Sequence, residues 1–306
     1  MYISVGGFTM ENKEDRNKQI KLYLAWYGTQ AVRFEIIKSL YCREFALISK
    51  HTPKASIRNL KSHSVKNFDY ILWNLLHLRN KKILFSLYYS LAKYINGVPN
   101  SPRTLVEWTK CDTWKKVKED WKFNHYKKME SYDFVIDIDA GDHADIIHAK
   151  ETTINIRNYF DKLNIPYEVR YSGKGFHFII PKKFFPDYSY DPNDENNIYK
   201  MYQKIAKYLY DEFSEMVDVD IYDSRRVLKI PYTLALYPDD YNCYICFPLH
   251  TRAGLDNFQF KEYILTEKNF DVYKKIIKMR GLHLFNADGK MNKLLKDVGI
   301  NKSFNG

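Results

Sequence analysis

The sequence predicts an α+β fold in which helices flank a central β-sheet. Two observations support this prediction. Between residues 131 and 250, the segments follow the order strand, helix, strand, strand, helix, strand, strand. That order differs from the regular alternation of a doubly wound parallel sheet and indicates a mixed sheet with helices packed on it. On both sides of this region, apolar residues recur at three- and four-residue spacing, which is typical of amphipathic helices.

Residues 12–130 are predicted to form a mainly helical region that wraps the core. Helical spacing of apolar residues occurs at Ile20, Tyr23, Leu24 and Tyr27, and again at Leu84, Leu87, Tyr88 and Leu91. Residues 96–102 combine Gly, Asn, Ser and Pro, a composition that marks a break in regular structure. Residues 103–130 are expected to be helical again, and they are strongly basic.

Residues 131–260 are predicted to form the α/β core. Strands are expected at residues 132–138, 167–170, 176–181, 217–222 and 227–230, and helices at residues 152–163 and 199–213. Residues 238–240 read as a hairpin turn whose return strand covers residues 243–249. Residues 261–306 are predicted to be a basic helical tail. We expect the three parts to form one compact unit.

The composition favours a polyanionic partner. Among the 306 residues, Lys and Arg number 48 against 37 Asp and Glu, a formal net charge of +11. Nucleic acid is the first candidate partner and a membrane surface the second, although a solvated basic surface gives the same count. The most apolar run, residues 83–95, is too short to span a membrane and contains Lys93. With four scattered cysteines and no signal-peptide pattern at the start, we expect a soluble cytoplasmic protein without membrane contact.

The first group of chemically suggestive residues is an acidic pair after the first core strand. Asp137 and Asp139 are two residues apart, so on a strand their side chains point to the same face. Two such carboxylates repel each other unless a divalent cation lies between them, and hard oxygen ligands suit Mg²⁺ or Mn²⁺. The alternative interpretation is a pair of exposed carboxylates in a turn.

The second group is a glycine-rich turn between two strands. Gly173 and Gly175 leave the backbone open, so its N–H groups can approach a phosphate closely. Ser172, Lys174 and His177 add a hydroxyl, a positive charge and a ring nitrogen. The turn is not a Walker loop, because a strand and not a helix follows it. An ordinary glycine hairpin remains the alternative.

The third group is an acidic segment followed by a basic strand. Asp218 or Asp220 could complete the carboxylate set, and Arg226 and Lys229 could hold phosphates. A surface ladder of salt bridges across a hairpin would have the same sequence. The spacing does not choose between the two aspartates.

Together, the order and spacing of these groups resemble the three motifs of the archaeo-eukaryotic primase superfamily. The resemblance extends upstream, where Arg43-Glu44-Phe45 and residues 88–94 (YYSLAKY) are similar to segments of primase small catalytic subunits. It covers about residues 22–250 and implies a primase-polymerase core. It further implies that Asp137, Asp139 and Asp218 bind catalytic metals, with Asp220 as the alternative third carboxylate. The nucleotide-binding residues it implies are Ser172, Gly173, Lys174, Gly175, His177, Arg226, Lys229 and Arg43.

The sequence also departs from the family pattern. Thr233 and Leu234 are followed by Ala235 where the family often has His, and the zinc-binding Cys/His cluster of many small subunits is absent. Cys243, Cys246 and His250 have partial zinc spacing but offer only three ligands, so we expect Mg²⁺ or Mn²⁺ and no zinc.

The function that the resemblance implies is that of a DNA primase or primase-polymerase. Such an enzyme joins nucleoside triphosphates on a single-stranded DNA template, with a primase large subunit or a helicase as possible partners. Lys115, Lys116 and Lys118 could hold template phosphates, or they could be a solvated helix face. The alternatives are a gap-filling repair polymerase, a catalytic subunit inactive without its large subunit, a non-enzymatic replication module and a nuclease. The intact carboxylates argue against the module, and the glycine-rich turn argues against simple hydrolysis.

Overall fold

The computed structural model describes residues 10–48, 57–61, 84–95, 125–141, 145–224, 226–237, 240–279 and 283–300. Over these ranges the chain is α+β, with antiparallel sheets flanked by helices, and the predicted fold class is confirmed. The seven α-helices of the described ranges are α1 Met10–Gly28, α2 Gln30–Ser39, α3 Ile146–Leu163, α4 Ile198–Glu212, α5 Arg252–Asp256, α6 Phe270–Met279 and α7 Asn292–Asp297. No helix in those ranges is long and apolar enough to cross a membrane.

The strands form two main sheets and a hairpin. Their bounds are β1 Arg43–Ile48, β2 Ile57–Lys61, β3 Ser86–Tyr94, β4 Met129–Tyr132, β5 Phe134–Asp139, β6 Glu168–Tyr171, β7 Gly175–Ile180, β8 Val227–Lys229, β9 Leu234–Tyr237, β10 Asp240–Ile245 and β11 Phe247–Pro248. The first sheet has the order β2-β1-β3-β4, and β8 also pairs with β3. The second has the order β11-β6-β7-β5, and β9 pairs with β10.

The prediction of a helical N-terminal region is correct for α1 and α2 and wrong for the described segments between residues 43 and 95. Residues 43–48, 57–61 and 86–94 are strands, and β3 lies between β1 on one side and β4 and β8 on the other. Most of β3 is buried on both faces. A strand covered on both faces shows no polar–apolar alternation, so its apolar run is easily mistaken for a helix. Residues 101–124, including Lys115, Lys116 and Lys118, lie outside the described residues.

The predicted mixed sheet is also corrected, because every pairing between the described strands is antiparallel. In the second sheet, β5 pairs with β7 so that Asp137 lies opposite His177 and Asp139 lies opposite Gly175. Alternation along β7 places Phe178 on the other face, where its ring centroid is 5.4 Å from that of Phe160 on α3. One face of this sheet is therefore apolar and packed on α3, and the other carries the polar residues.

The predicted strand at residues 217–222 is wrong. Val217 forms a single bridge with Ile138, and no further ladder follows. The Asp218 side chain instead accepts a hydrogen bond from the backbone N–H of Asp220 at 2.9 Å. Local bonds of this kind offer the backbone an alternative to strand pairing. The backbone N–H of Asp218 still donates to the carbonyl oxygen of Asp137 at 2.9 Å, so the segment lies against β5.

The remaining predictions for the core are confirmed with shifted ends. The helix predicted at 152–163 is α3, which begins earlier at Ile146, and the helix predicted at 199–213 is α4. The short strand β8 occurs where the sequence predicts it, and β9 pairs with β10 as the predicted hairpin requires, although residues 238 and 239 of the turn lie outside the described residues. The return strand predicted at residues 243–249 is divided, because β10 ends at Ile245 and β11 pairs with β6. On α4, Tyr202 packs its ring 4.7 Å from that of Phe134 and donates its hydroxyl to the carbonyl oxygen of Tyr132.

Helix α1 supports the connection between β8 and β9. Trp26 is fully buried, and its indole N–H donates to the carbonyl oxygen of Tyr232 at 2.8 Å. The hydroxyl of Tyr27 accepts a hydrogen bond from the backbone N–H of Leu234 at 2.8 Å. Tyr232 adopts a positive φ of 63°, which is uncommon for a residue with a side chain. These contacts hold β8 and β9, the two strands that carry several of the candidate site residues.

The described part of the predicted tail is helical at α6 and α7 and packs on the core. Phe285 pairs its backbone with Tyr167, and Met291, Leu294 and Leu295 are buried. Partial burial would raise the pKa of the Asp161 carboxyl, but hydrogen bonds from Arg252, Asn286 and Tyr167 outweigh it and hold that pKa below its usual value. The tail is therefore held by the backbone pairing of Phe285 with Tyr167 and by the hydrogen bond from Asn286 to Asp161 on α3. The predicted division of the chain at residues 130 and 260 stays a prediction. Strand β3, which precedes residue 130, nevertheless pairs with β8, which follows it, so one sheet contains strands from both sides of that boundary.

Candidate active site

A cavity of about 180 Å³ opens between the polar face of the second sheet and strands β3, β8 and β9. Its walls come from five separate segments of the chain. The lining residues are Tyr88, Asp137, Asp139, Ser172, Lys174, His177, Arg226, Val227, Leu228, Lys229 and Tyr237. The structure thus brings together residues from all three groups that the sequence singles out.

The acidic pair lies at the end of β5. Both carboxylates face the cavity, as the strand alternation predicts. The Oδ1 atom of Asp137 is 3.2 Å from Nε2 of His177, and its Oδ2 atom is 3.5 Å from the guanidinium of Arg226. Burial would raise the pKa of Asp137, but His177, Arg226 and Lys229 outweigh it and hold that pKa below its usual value. Asp137 is therefore ionised at neutral pH. Asp139 is exposed and accepts a hydrogen bond from the backbone N–H of Gly141 at 3.0 Å.

The two glycines of the turn are required by close packing. A Cβ atom on Gly175 would lie 2.0 Å from the carbonyl oxygen of Ile138 in the neighbouring strand. Gly173 has a φ of +105°, and a Cβ atom there would lie 2.6 Å from the Cβ of Ala235. These glycines let the turn press against β5 on one side and β9 on the other. They place Lys174 and Ser172 at the cavity without lining it themselves.

The basic side chains reach the cavity from the turn and from β8. Lys174 donates from Nζ to the carbonyl oxygen of Gly141 at 3.2 Å, and Lys229 donates to the carbonyl oxygen of Ser172 at 2.7 Å. Together with Arg226, they put three basic side chains beside the two carboxylates Asp137 and Asp139. Cations therefore outnumber carboxylates even before His177 is counted, which suits an anionic ligand.

His177 has one ring nitrogen without a partner. The residue is 5% exposed and its Nε2 atom faces Asp137. Its Nδ1 atom is buried and has no hydrogen-bond partner among the described residues. Unpaired buried polar atoms are rare because they cost free energy. A ligand that offers a hydrogen-bonding group to Nδ1 would remove that cost.

Asp218 and Asp220, the two candidates for a third carboxylate, occupy different positions. Arg226 lies between Asp218 and Asp137, with its guanidinium 4.0 Å from Asp218 Oδ2 and 3.5 Å from Asp137 Oδ2. Asp220 is exposed, and neither aspartate lines the cavity. Because residues 218–220 do not form a strand, strand alternation does not place the side chains of Asp218 and Asp220 on the same face. Within the described residues, no group of three or more His, Cys, Asp and Glu side chains is placed to hold a metal ion.

Arg43, predicted to bind nucleotide, is placed elsewhere. Its guanidinium is buried, pairs with Asp133, and donates to the carbonyl oxygens of Ser90 and Leu91 at 2.8 and 2.6 Å. The positive charge of Arg43 is therefore paired inside the fold, and Arg43 is not among the residues that line the cavity. The nucleotide-binding role of Arg43 stays a prediction, and its contacts in the structure are those of a residue that holds the fold together.

Sequence reasoning missed the two tyrosines of the cavity. Tyr88 was assigned to a helix, and its place on β3 beside Lys229 depends on the pairing of β3 with β8. The sequence does carry a signal for Tyr237. Strand alternation places it on the same side of β9 as Ala235, the position where the primase pattern that the sequence resembles often has His.

Two cysteines of the partial zinc pattern are buried at the end of the β9–β10 hairpin. Burial raises the pKa of the Cys243 thiol to about 12 and that of Cys246 to about 11. The Sγ atom of Cys243 faces the carbonyl oxygen of Gln19 on α1 at 4.0 Å. Packing accounts for their burial.

Comparisons with known proteins find similarity only at the level of solved structures. No protein-family model and no curated sequence matches the chain. The catalytic domain of primase RepB′ in complex with initiator DNA aligns over 66% of this chain and 75% of its own, with 12% identity and a TM-score of 0.33. Primase RepB′ aligns over 82% of this chain, with 10% identity and a TM-score of 0.37, and this chain spans 62% of its length. At these values the similarity assigns neither an activity nor a residue role.

Proposed function

We propose that this chain is a template-dependent nucleotidyltransferase that acts on single-stranded DNA as a primase or primase-polymerase. One observation carries the proposal. The cavity joins two carboxylates on one strand to a cluster of basic and polar side chains from two distant segments. That combination suits the transfer of a nucleotidyl group, because the reaction needs both a metal site and a site for a triphosphate.

The cationic wall of the cavity supports a triphosphate ligand. Lys174, Arg226 and Lys229 can each contact a phosphate oxygen, and Arg226 can do so through two parallel hydrogen bonds. The unpartnered Nδ1 of His177 offers a further hydrogen bond. An isolated phosphodiester, as in a nuclease substrate, would need fewer of these groups, so the wall favours a nucleoside triphosphate.

The donor set fits a divalent cation. Asp137 and Asp139 face the same cavity, and their hard carboxylate oxygens are ligands that Mg²⁺ and Mn²⁺ prefer. Mg²⁺ usually binds one or two carboxylates and takes its other ligands from phosphates and water, so two carboxylates suffice. Asp218 would act through Arg226 or join the ligands when nucleotide binds. A bound cation would supply charge for activating a 3′-hydroxyl and for stabilising the leaving pyrophosphate.

The side chains of the cavity would divide the work as follows. Lys174 and Lys229 hold the phosphates and offset the negative charge that builds up on the leaving pyrophosphate. Arg226 neutralises part of the charge of Asp137 until nucleotide binds. His177 orients Asp137 through Nε2 and contacts the nucleotide through Nδ1. The 3′-hydroxyl loses its proton to solvent water, and a bond forms between the 3′-oxygen and the α-phosphorus while the bond from that phosphorus to the leaving pyrophosphate breaks.

The proposed partners follow from charge. A net charge of +11 favours binding to a nucleic acid strand, and this binding should weaken as salt concentration rises. A primase large subunit or a helicase would be an additional partner. Its contribution would appear as stimulation of the chain's own activity.

The test is nucleotide incorporation on single-stranded DNA, with labelled ribo- or deoxyribonucleotides, Mg²⁺ or Mn²⁺, and with or without an annealed primer. We expect products with wild-type protein and a loss of at least about 100-fold in Asp137→Asn and Asp139→Asn. Asp211→Asn is the matched control, since Asp211 is an exposed carboxylate on α4 that pairs with Lys207.

The outcomes separate the possible activities. Products without a primer establish a primase, whereas products only with a primer indicate a gap-filling polymerase. Cleavage of the DNA in place of synthesis would indicate a nuclease. Incorporation that persists in Asp137→Asn would refute the assignment of this cavity as the catalytic site.

A further inference from the structure

Tyr237 lies where the two lysines of the cavity meet. It is 3% exposed and stands at the end of β9. Its hydroxyl accepts a hydrogen bond from Nζ of Lys229 at 3.0 Å. The Nζ atoms of Lys174 and Lys229 lie 4.6 and 5.2 Å from the centroid of its ring, within the range of cation–π attraction. A single side chain therefore contacts two ammonium groups that arrive from different segments.

The contacts of both lysines leave their charge available. Over the described ranges, neither Lys174 nor Lys229 forms a salt bridge with a carboxylate. Their partners are a ring face, a phenol oxygen and the carbonyl oxygens of Gly141 and Ser172. A carboxylate in direct contact would cancel most of the charge, whereas neutral partners hold each ammonium in place without such an ion pair, even though Lys229 still acts at a distance on Asp137.

Tyr237 also contacts the glycine-rich turn. Its hydroxyl lies 2.8 Å from the point that a Cβ atom on Gly173 would occupy. The turn and β9 are therefore packed too closely for any side chain at residue 173. Burial raises the pKa of Tyr237 well above its usual value, so the phenol stays neutral across the working pH range. A neutral phenol oxygen can accept the hydrogen bond from Lys229 throughout.

We propose that Tyr237 is a positioning residue that presents Lys174 and Lys229 to the phosphates of the incoming nucleotide. This inference rests on the proposed function, because it takes a triphosphate as the ligand of the two lysines. It goes beyond that function by assigning a role to a residue outside the three sequence motifs. The role is to align two cations through neutral contacts, and Tyr237 itself need not touch the reacting atoms.

The experiment compares three variants with the wild-type full chain. Tyr237→Phe removes the hydroxyl and keeps the ring, and Tyr237→Leu removes both. Tyr244→Phe is the matched control, because Tyr244 is a buried tyrosine of the same hairpin whose hydroxyl donates to Asp240 at 2.6 Å. Binding of inorganic triphosphate is measured by calorimetry, nucleotide incorporation is analysed as KM and kcat, and thermal unfolding checks that each variant is folded.

We expect Tyr237→Phe to bind triphosphate about tenfold more weakly and Tyr237→Leu about 100-fold more weakly, with Tyr244→Phe unchanged. KM for the nucleotide should rise in the same order, while kcat of Tyr237→Phe stays within about twofold. A purely structural role would not give this graded effect on KM in folded variants.

Three results would overturn the inference. If Tyr237→Phe and Tyr237→Leu bind triphosphate as tightly as an active wild-type protein, the positioning role fails and the proposed function stands. If Tyr244→Phe loses binding to the same extent as Tyr237→Phe, the effect belongs to the hairpin as a whole. If the wild-type protein neither binds triphosphate nor incorporates nucleotides, the positioning role and the proposed function both fail.

Discussion

Replacing Arg43 by Ala should destabilise the fold, because Arg43 connects the two sheets. It lies on β1 of the first sheet, and Asp133 lies at the break between β4 and β5, where the chain passes to the second sheet. The side chain of Arg43 is 8% exposed and that of Asp133 is 14% exposed. The other oxygen of Asp133 accepts a hydrogen bond from the backbone N–H of Lys182 at 3.1 Å. The substitution would leave this carboxylate buried without its cation.

The size of the effect follows from that geometry. Removing one partner of a buried ion pair typically costs about 3–5 kcal/mol, because the remaining charge is left uncompensated. Domains are commonly stable by only about 5–15 kcal/mol, so the loss would be a large fraction of the total. Arg43→Met combined with Asp133→Asn should recover much of it, since Asn keeps the acceptor for Lys182 and carries no charge.

The assay is urea unfolding followed by circular dichroism, with free energies from linear extrapolation. Lys207→Ala is the control, because it breaks an exposed pair with Asp211 that should contribute no more than about 1 kcal/mol. If Arg43→Ala unfolds like the wild-type protein while its KM for nucleotide rises, the structural reasoning is refuted. Arg43 would then be a nucleotide contact, as its sequence motif implies.

Three further predictions concern the site and the tail. Gly175→Ala should lower the melting temperature and reduce nucleotide incorporation, because the added methyl group would collide with the backbone of β5. An unchanged melting temperature would contradict this close packing. Asp218→Asn should reduce kcat/KM for nucleotide incorporation about tenfold, and Asp220→Asn should reduce it by less than about twofold. The reason is that the guanidinium of Arg226 lies near both Asp218 and Asp137. Equal effects of the two substitutions would contradict the choice of Asp218 over Asp220. Asp161→Asn should lower the free energy of unfolding at pH 7. Because folding depresses the pKa of Asp161, its stabilisation is present above its unfolded pKa of about 3.9 and is lost as pH falls through the folded value. The two proteins should therefore converge in urea unfolding at lower pH, and a constant difference would disprove the linkage.

Much of the candidate site could be predicted from local sequence patterns. Asp137 and Asp139 face one cavity because strand geometry sends alternate side chains to the same side. The close approach of the turn to its neighbours is predictable from its two glycines, and the structure shows the contacts that exclude a side chain at each. Such features depend on a few consecutive residues, so the chain specifies them without reference to distant segments.

Other features depend on which distant segments meet. The sequence suggests a helix for residues 84–91, and only the pairing of β3 with β1, β4 and β8 makes that apolar run a strand buried on both faces. Arg43 carries a motif that implies a nucleotide contact, yet its burial against Asp133 engages its charge inside the fold. Tyr237 became a site residue because the β9–β10 hairpin packs against the glycine-rich turn. Short-range geometry determines where a side chain points, whereas the contacts between distant segments determine what that side chain meets.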